Sequence, residues 1–196
     1  MDPTTLAAYD HRSAHYATQW HEQPPPCDLH DLLRTHFSPG PTIDVGCGSG
    51  RDVAWLHAQG FTPVLGIDGS EGLLAQARAR HPTLAFRQAL LPQLDGLEGS
   101  SFQNVLCETV LMHLPLESVA PATAALIDLL RPGGTLVLTW RVSGHSLRDD
   151  HGRLYTAFDA ALVREAAAPA GDILLDDEVV SASSGRRIHR LVLRRG

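Results

Sequence analysis

From about residue 40 the chain alternates short apolar runs with segments of helical spacing. Thr42-Ile43-Asp44-Val45 predicts a strand that ends at glycines, and Asp52 to Gln59 predicts a helix closed by Gly60. Pro63 to Ile67 predicts a second strand, after which Ser70 caps a helix running to about Arg80. Leu84 to Arg87 is a weaker strand, and Val105-Leu106-Cys107 a short buried one. A helix from about Glu117 to Leu130 stops at Arg131-Pro132-Gly133-Gly134, and Thr135 to Trp140 is the clearest strand. Thr156 with Asp159 reads as a capping box for a helix to about Ala168. Ile173 to Ser181 and Arg187 to Leu193 read as two strands joined at Ser183-Ser184-Gly185. The pattern predicts an α/β, doubly wound, seven-stranded sheet, mostly parallel with an antiparallel C-terminal strand.

Ahead of this body, Pro24-Pro25-Pro26 sets off residues 4–20, which carry Tyr9, Tyr16 and Trp20. Tyr9 and Tyr16 are seven apart, hence on one face if the segment is a single helix. The segment reads either as a lid or as a helix packed permanently on the sheet edge. With 196 residues the chain is expected to be one domain over 1–196, with 1–26 as the lid-like part.

The 43% apolar content excludes a disordered chain, and a net charge of −6 argues against a nucleic-acid partner. All 16 cationic residues are arginines. Those near the C-terminus (Arg186, Arg187, Arg190, Arg194, Arg195) lack interleaved aromatics and read as a solvated strand. Cys27, Cys47 and Cys107 form no CxxC pair, so a reducing cytoplasm is the expected location. No apolar run approaches membrane length, and no membrane partner is expected.

The chemistry concentrates at Gly46-Cys47-Gly48-Ser49-Gly50, between the first strand and its helix. Glycines there let a ligand approach the backbone, and the helix start offers free N–H groups to an anion. A dinucleotide fingerprint needs a glycine at position 51, where this chain has Arg51. That speaks against hydride transfer.

Asp44-Val45-Gly46-Cys47-Gly48-Ser49-Gly50-Arg51 instead resembles motif I of the class I S-adenosylmethionine (SAM)-dependent methyltransferases, which have a Rossmann-like fold. Val64 to Ser70 is similar to that family's second strand, which ends in an acid. Asn104 to Leu114 resembles its fourth-strand motif, and Leu130 to Leu138 its L-x-P-G-G entry to the fifth strand. Tyr9-Asp10 and Tyr16 resemble the Y-D…Y lead-in of small bacterial members. The resemblance implies SAM as cofactor, bound by Tyr9, Tyr16, Asp44, Gly46, Cys47, Gly48, Gly50, Asp68, Gly69, Ala89, Leu90 and Glu108.

Within that set Asp68 would accept from the ribose hydroxyls, or serve only as an acid at a helix start. Asp44 would either brace the loop or meet the ligand's amino group. Cys47 reads as a small loop filler. The family often has an acid facing the adenine after the third strand, where this chain has Leu90. Gln103 likewise replaces an aspartate before the fourth strand.

The acceptor is expected to be a small molecule, because no N-P-P-Y-type motif follows the fourth strand. His113 and Tyr16 are the candidate catalytic residues, with His113 either a base or a packed helix-start histidine. Trp140, Arg141 and His145, after the fifth strand, are candidate substrate contacts, and Arg141 suggests an anionic acceptor unless it is merely solvated. His145, Asp149, Asp150 and His151 match no metal-site spacing, so no metal is expected. The alternatives are a non-catalytic SAM- or nucleotide-binding protein and a methyltransferase acting on protein or RNA. Oligomeric state, monomer or homodimer, is left open.

Overall fold

A computed structural model describes residues 1–97, 99 and 101–196. In chain order the elements are α1 (Pro3–His11), α2 (Ser13–Glu22), α3 (Cys27–His36), β1 (Thr42–Val45), α4 (Arg51–Ala58), β2 (Val64–Asp68) and α5 (Glu71–Arg80). They continue as β3 (Ala85–Gln88), β4 (Phe102–Glu108), α6 (Leu116–Asp128), β5 (Leu130–Arg141), β6 (Leu147–Arg148), β7 (Leu154–Tyr155), α7 (Ala160–Ala167), β8 (Gly171–Val180) and β9 (Arg187–Arg195).

The main sheet has seven strands in the order β3-β2-β1-β4-β5-β9-β8. Only β9 runs against its neighbours, pairing antiparallel with both β5 and β8. The fold is Rossmann-like and doubly wound, as the alternation predicts. Period-two alternation sends neighbouring residues to opposite faces. Val105 and Cys107, Leu136 and Leu138, and Leu191 and Leu193 pack on one face with α6 and α7. Leu106, Val137 and Val192 pack on the other with α3, α4 and α5. Chain order reverses between β1 and β4, which opens a crevice at their carboxyl ends, where ligands bind in such sheets.

Several local expectations change. Residues 4–20 form two helices broken at Arg12 (φ −117°), so Tyr9 and Tyr16 do not share one helical face. Their rings still meet, 5.1 Å apart, because the helices fold onto each other. The segment also joins the core: Thr5 and Ala17 are fully buried. Leu130 lies in β5 rather than at a helix end, with an irregularity before Thr135 where the Pro132-Gly133 turn loops out of the ladder. The capping box is absent. Asp159 alone caps α7, accepting from Ala161 N, whereas Thr156 Oγ1 donates to the Leu114 carbonyl 2.6 Å away.

Candidate functional site

A cavity of about 670 Å³ opens along the carboxyl ends of β1, β2, β4 and β5, within the size range of small-molecule sites. Gly46, Gly48 and Asp68 line one end, and His113, Arg141 and Arg153 line the other. The crossing from β1 into α4 uses left-handed backbone at Gly46 (φ 82°), Gly48 (φ 55°) and Gly50 (φ 82°), which other residues adopt at a cost. Asp68, at the end of β2, fixes this loop. Its carboxylate accepts from Gly48 N at 2.9 Å and from Ser70 N at 2.8 Å. Burial raises its pKa, opposed by those same hydrogen bonds.

Beneath the loop lies a group of buried acids. Asp44 is buried, and burial together with Asp52 and Glu108 pushes its carboxyl well above the usual range. Arg51 reaches from the start of α4 to Asp52 (2.9 Å) and Glu108 (3.3 Å). Burial alone would raise Asp52, but His30 and Arg51 hold it low; burial and the charge of Asp52 push Glu108 up. Ser49 Oγ is buried with no hydrogen-bond partner while its residue lines the cavity. An orphaned hydroxyl there suits a polar ligand.

The far end is aromatic and cationic. Tyr9 OH lies 2.9 Å from His113 Nε2, and His113 Nδ1 lies 2.6 Å from the Leu154 carbonyl. Burial lowers His113 to about 4 and raises Tyr9. Arg153 lies over the rings of Tyr9, Tyr16 and Tyr155, at 5.7, 4.8 and 5.6 Å, and is held by Asp149 at 2.7 Å. Arg141 stacks over Tyr155 at 4.9 Å. Trp20 closes the cavity over the glycine loop, so near that a Cβ on Gly48 would stand 2.8 Å from its ring.

Most of the sequence-derived residues thus meet in one cavity: Tyr9, Gly46, Cys47, Gly48, Asp68, Gly69, Ala89, Leu90, Glu108, His113 and Arg141 all line it. Tyr16, Asp44, Gly50, Trp140 and His145 are not among its lining residues. Tyr16 is buried behind Tyr9, and its hydroxyl has no partner. Gly50 serves as the N-cap of α4, and Trp140 is stacked on His189 at 4.4 Å. His145 is exposed. Sequence reasoning missed Arg51 and Ser49 as lining groups, although both lie inside the glycine motif. It also passed over Arg153 and Tyr155, which no local motif marks.

Residues 43–134 match the protein family described as a methyltransferase domain. That stretch contains the glycine loop, Asp68 and Glu108, which line one end of the cavity. The match supports a class I SAM-dependent methyltransferase domain. The chain is 32% identical over 113 residues to demethylmenaquinone methyltransferase of Symbiobacterium thermophilum, covering 54% of this chain and 45% of that protein. It is 38% identical over 98 residues to ubiquinone biosynthesis O-methyltransferase of Methylococcus capsulatus, covering 48% and 40%. The chain therefore spans less than half the length of these curated relatives. Among solved structures it resembles the Burkholderia thailandensis 1,6-didemethyltoxoflavin-N1-methyltransferase, determined with 1,6-didemethyltoxoflavin and S-adenosylhomocysteine bound. That likeness has a TM-score of 0.76 at 20% identity and covers 98% of this chain and 87% of that one.

The family's cofactor is SAM, and the site's chemistry fits it. Close-approach glycines, an orphaned hydroxyl and the half-buried Arg51 line the same cavity as Asp68, so an amino-acid end and a ribose can be served from one set of groups. Among the described residues no three His, Cys, Asp or Glu side chains gather as a metal site, and no helix is long and apolar enough to cross a membrane.

Proposed function

We propose that the protein transfers a methyl group from SAM to a small-molecule acceptor by in-line displacement. The carrying observation is the division of one cavity into a glycine-and-acid end and an aromatic-and-cation end. Bound SAM supplies a methyl group on a sulfonium, an electrophile that needs no metal or further activation. In this reading Gly46, Gly48, Ser49 and Arg51 hold the amino-acid end, and Asp68 accepts from the ribose hydroxyls while still bracing Gly48. Ala89 and Leu90 pack on the base. Tyr9 and Trp20 exclude water, which is how a displacement of this kind gains most of its rate.

The ubiquinone-biosynthesis and toxoflavin enzymes named above act, by their names, on small molecules, which supports a small-molecule acceptor here. Residues 1–196 are read as one domain, with 1–26 as its lid, acting in the cytoplasm; three free cysteines support that location. The test has two parts: calorimetry of S-adenosylhomocysteine binding, and S-adenosylhomocysteine formation from SAM with metabolite fractions. Binding without turnover on any fraction would favour a non-catalytic SAM-binding protein.

A further inference from the structure

A methyl acceptor that must lose a proton needs a base, and the bases of this cavity are already engaged. His113 Nε2 faces the Tyr9 hydroxyl, and its Nδ1 faces a carbonyl that can only accept a hydrogen. Asp149 is paired with Arg153, and Asp52 and Glu108 share Arg51. Asp68 holds two backbone N–H groups at the opposite end, and the Met1 amino group donates to the Leu91 carbonyl. The tyrosines lining the cavity, Tyr9 and Tyr155, are both shifted by burial away from ionising.

Two cations that line the cavity, Arg141 and Arg186, have no carboxylate partner among the described residues. Arg141, at the end of β5, stacks on Tyr155. A stacked guanidinium keeps its N–H edge free for a planar bidentate anion. Ser143 lines the cavity just beyond it, and Ser183 and Arg186 face the same space from the β8–β9 turn. The chain's net charge is −6, so these two unpaired cations run against the overall balance.

We infer that the acceptor is a carboxylic acid, bound as its carboxylate by Arg141 and methylated on a carboxylate oxygen to give a methyl ester. This rests on the methyltransferase reading and specifies its acceptor class. The balance needs no base. The carboxylate oxygen gains the methyl carbon, the donor's carbon–sulfur bond breaks, and that bond's electron pair goes to sulfur. The products are a neutral ester and S-adenosylhomocysteine, with no proton released. A hydroxyl, thiol or ammonium acceptor would release one.

The test begins with protein saturated in S-adenosylhomocysteine. Benzoate, phenylacetate and glutarate are titrated in by calorimetry, each beside its uncharged amide. Carboxylates should bind and amides should not. Arg141→Gln should weaken carboxylate binding at least tenfold, Arg141→Lys should lose less, and S-adenosylhomocysteine affinity should be the same in all three proteins. With a carboxylate that turns over, a weakly buffered indicator assay should show no proton per S-adenosylhomocysteine formed. Amide binding equal to carboxylate binding, no carboxylate binding across the panel, indifference to Arg141→Gln, or one proton per turnover would each overturn the inference. Failure to bind S-adenosylhomocysteine would instead sink the methyltransferase reading beneath it.

Discussion

The Tyr9 hydroxyl stands 2.9 Å from Nε2 of His113, tying the first helix to the turn after β4. The other ring nitrogen, Nδ1, is 2.6 Å from the Leu154 carbonyl and must carry the hydrogen there, which leaves Nε2 to accept from Tyr9. His113 is thus a neutral link between three segments of the chain.

A neutral buried histidine makes stability depend on pH. His113 is lowered to about 4 by burial, whereas an unfolded histidine titrates near 6.5. Its folded pKa is depressed, so its contribution is complete above about pH 6.5 and is lost as pH falls towards 4. Over that window the native protein should lose about 3 kcal/mol through this group. Urea midpoints measured from pH 7.5 to 4.5 should fall more steeply for the native protein than for His113→Gln, whose amide can keep both bonds. Parallel curves would mean that His113 is already charged in the fold.

Asp68 offers a second measurement. Asp68→Asn keeps one oxygen acceptor for the loop but removes the charge and places an N–H₂ against Gly48 N or Ser70 N. S-adenosylhomocysteine affinity should fall by about 1.5–3 kcal/mol, the range for hydrogen bonds to a charged group. Calorimetry giving unchanged affinity in a folded variant would confine Asp68 to bracing the loop.

The glycines separate backbone strain from lost space. Gly60 has φ 86° with nothing near its missing Cβ, so Gly60→Ala should cost about 1 kcal/mol from strain alone. Gly48→Ala adds contact with the Trp20 ring at 2.8 Å, and Gly46→Ala drives a Cβ to 2.2 Å from Val110 Cγ2. Thermal stability should fall in the order Gly60→Ala, Gly48→Ala, Gly46→Ala. Adding Trp20→Ala should restore space, but not conformation, to Gly48→Ala. If the three single variants melt alike, close approach is not what these glycines provide.

How much of this could be read from residues follows their range of interaction. The buried strands were legible because their signals are local: β-branched runs between glycine and proline punctuation. β3 was faint because it is an edge strand with mostly exposed side chains, so its sequence need not alternate. The glycine-and-acid end of the cavity lies mostly within one strand–loop–helix unit plus the end of β2, and spacing marked its residues as candidates. The aromatic-and-cation end draws Tyr9, Arg141 and the pair Arg153 and Tyr155 from three separate stretches. Arg153 meets Tyr9 and Tyr16 only because a hairpin folds back on the first two helices. No periodicity encodes such a meeting. Thr156 shows the converse: a sound local capping signal yielded to a stronger tertiary bond to the Leu114 carbonyl.

The last prediction concerns α1 and α2 as a lid. Their polar ties to the body include Asp2 to Arg148 at 2.8 Å, Thr5 Oγ1 to Leu154 N at 2.8 Å, Tyr9 to His113 at 2.9 Å, Arg12 to His151 at 2.7 Å, and Asp10 to the start of α5 through Ser70 Oγ and Gly72 N. Beneath them lies the cavity, with Tyr9 and Trp20 facing it. A ligand reaching Gly48 has to share space with Trp20, so entry requires the lid to open locally while the sheet stays intact. Asp2 is both the N-cap of α1 and the partner of Arg148. Asp2→Ala should therefore lower the opening free energy of the lid by about 1–2 kcal/mol, a five- to thirtyfold loss of amide protection in α1 and α2. Amides of β4 and β5 should exchange as before, and S-adenosylhomocysteine should raise protection in the two helices. Deleting residues 1–22 should leave a folded sheet that binds S-adenosylhomocysteine more weakly and has lost most turnover. Hydrogen exchange that rises equally in α1, β4 and β5 on Asp2→Ala would show that lid and sheet unfold as one unit, and the gating role would fall with it.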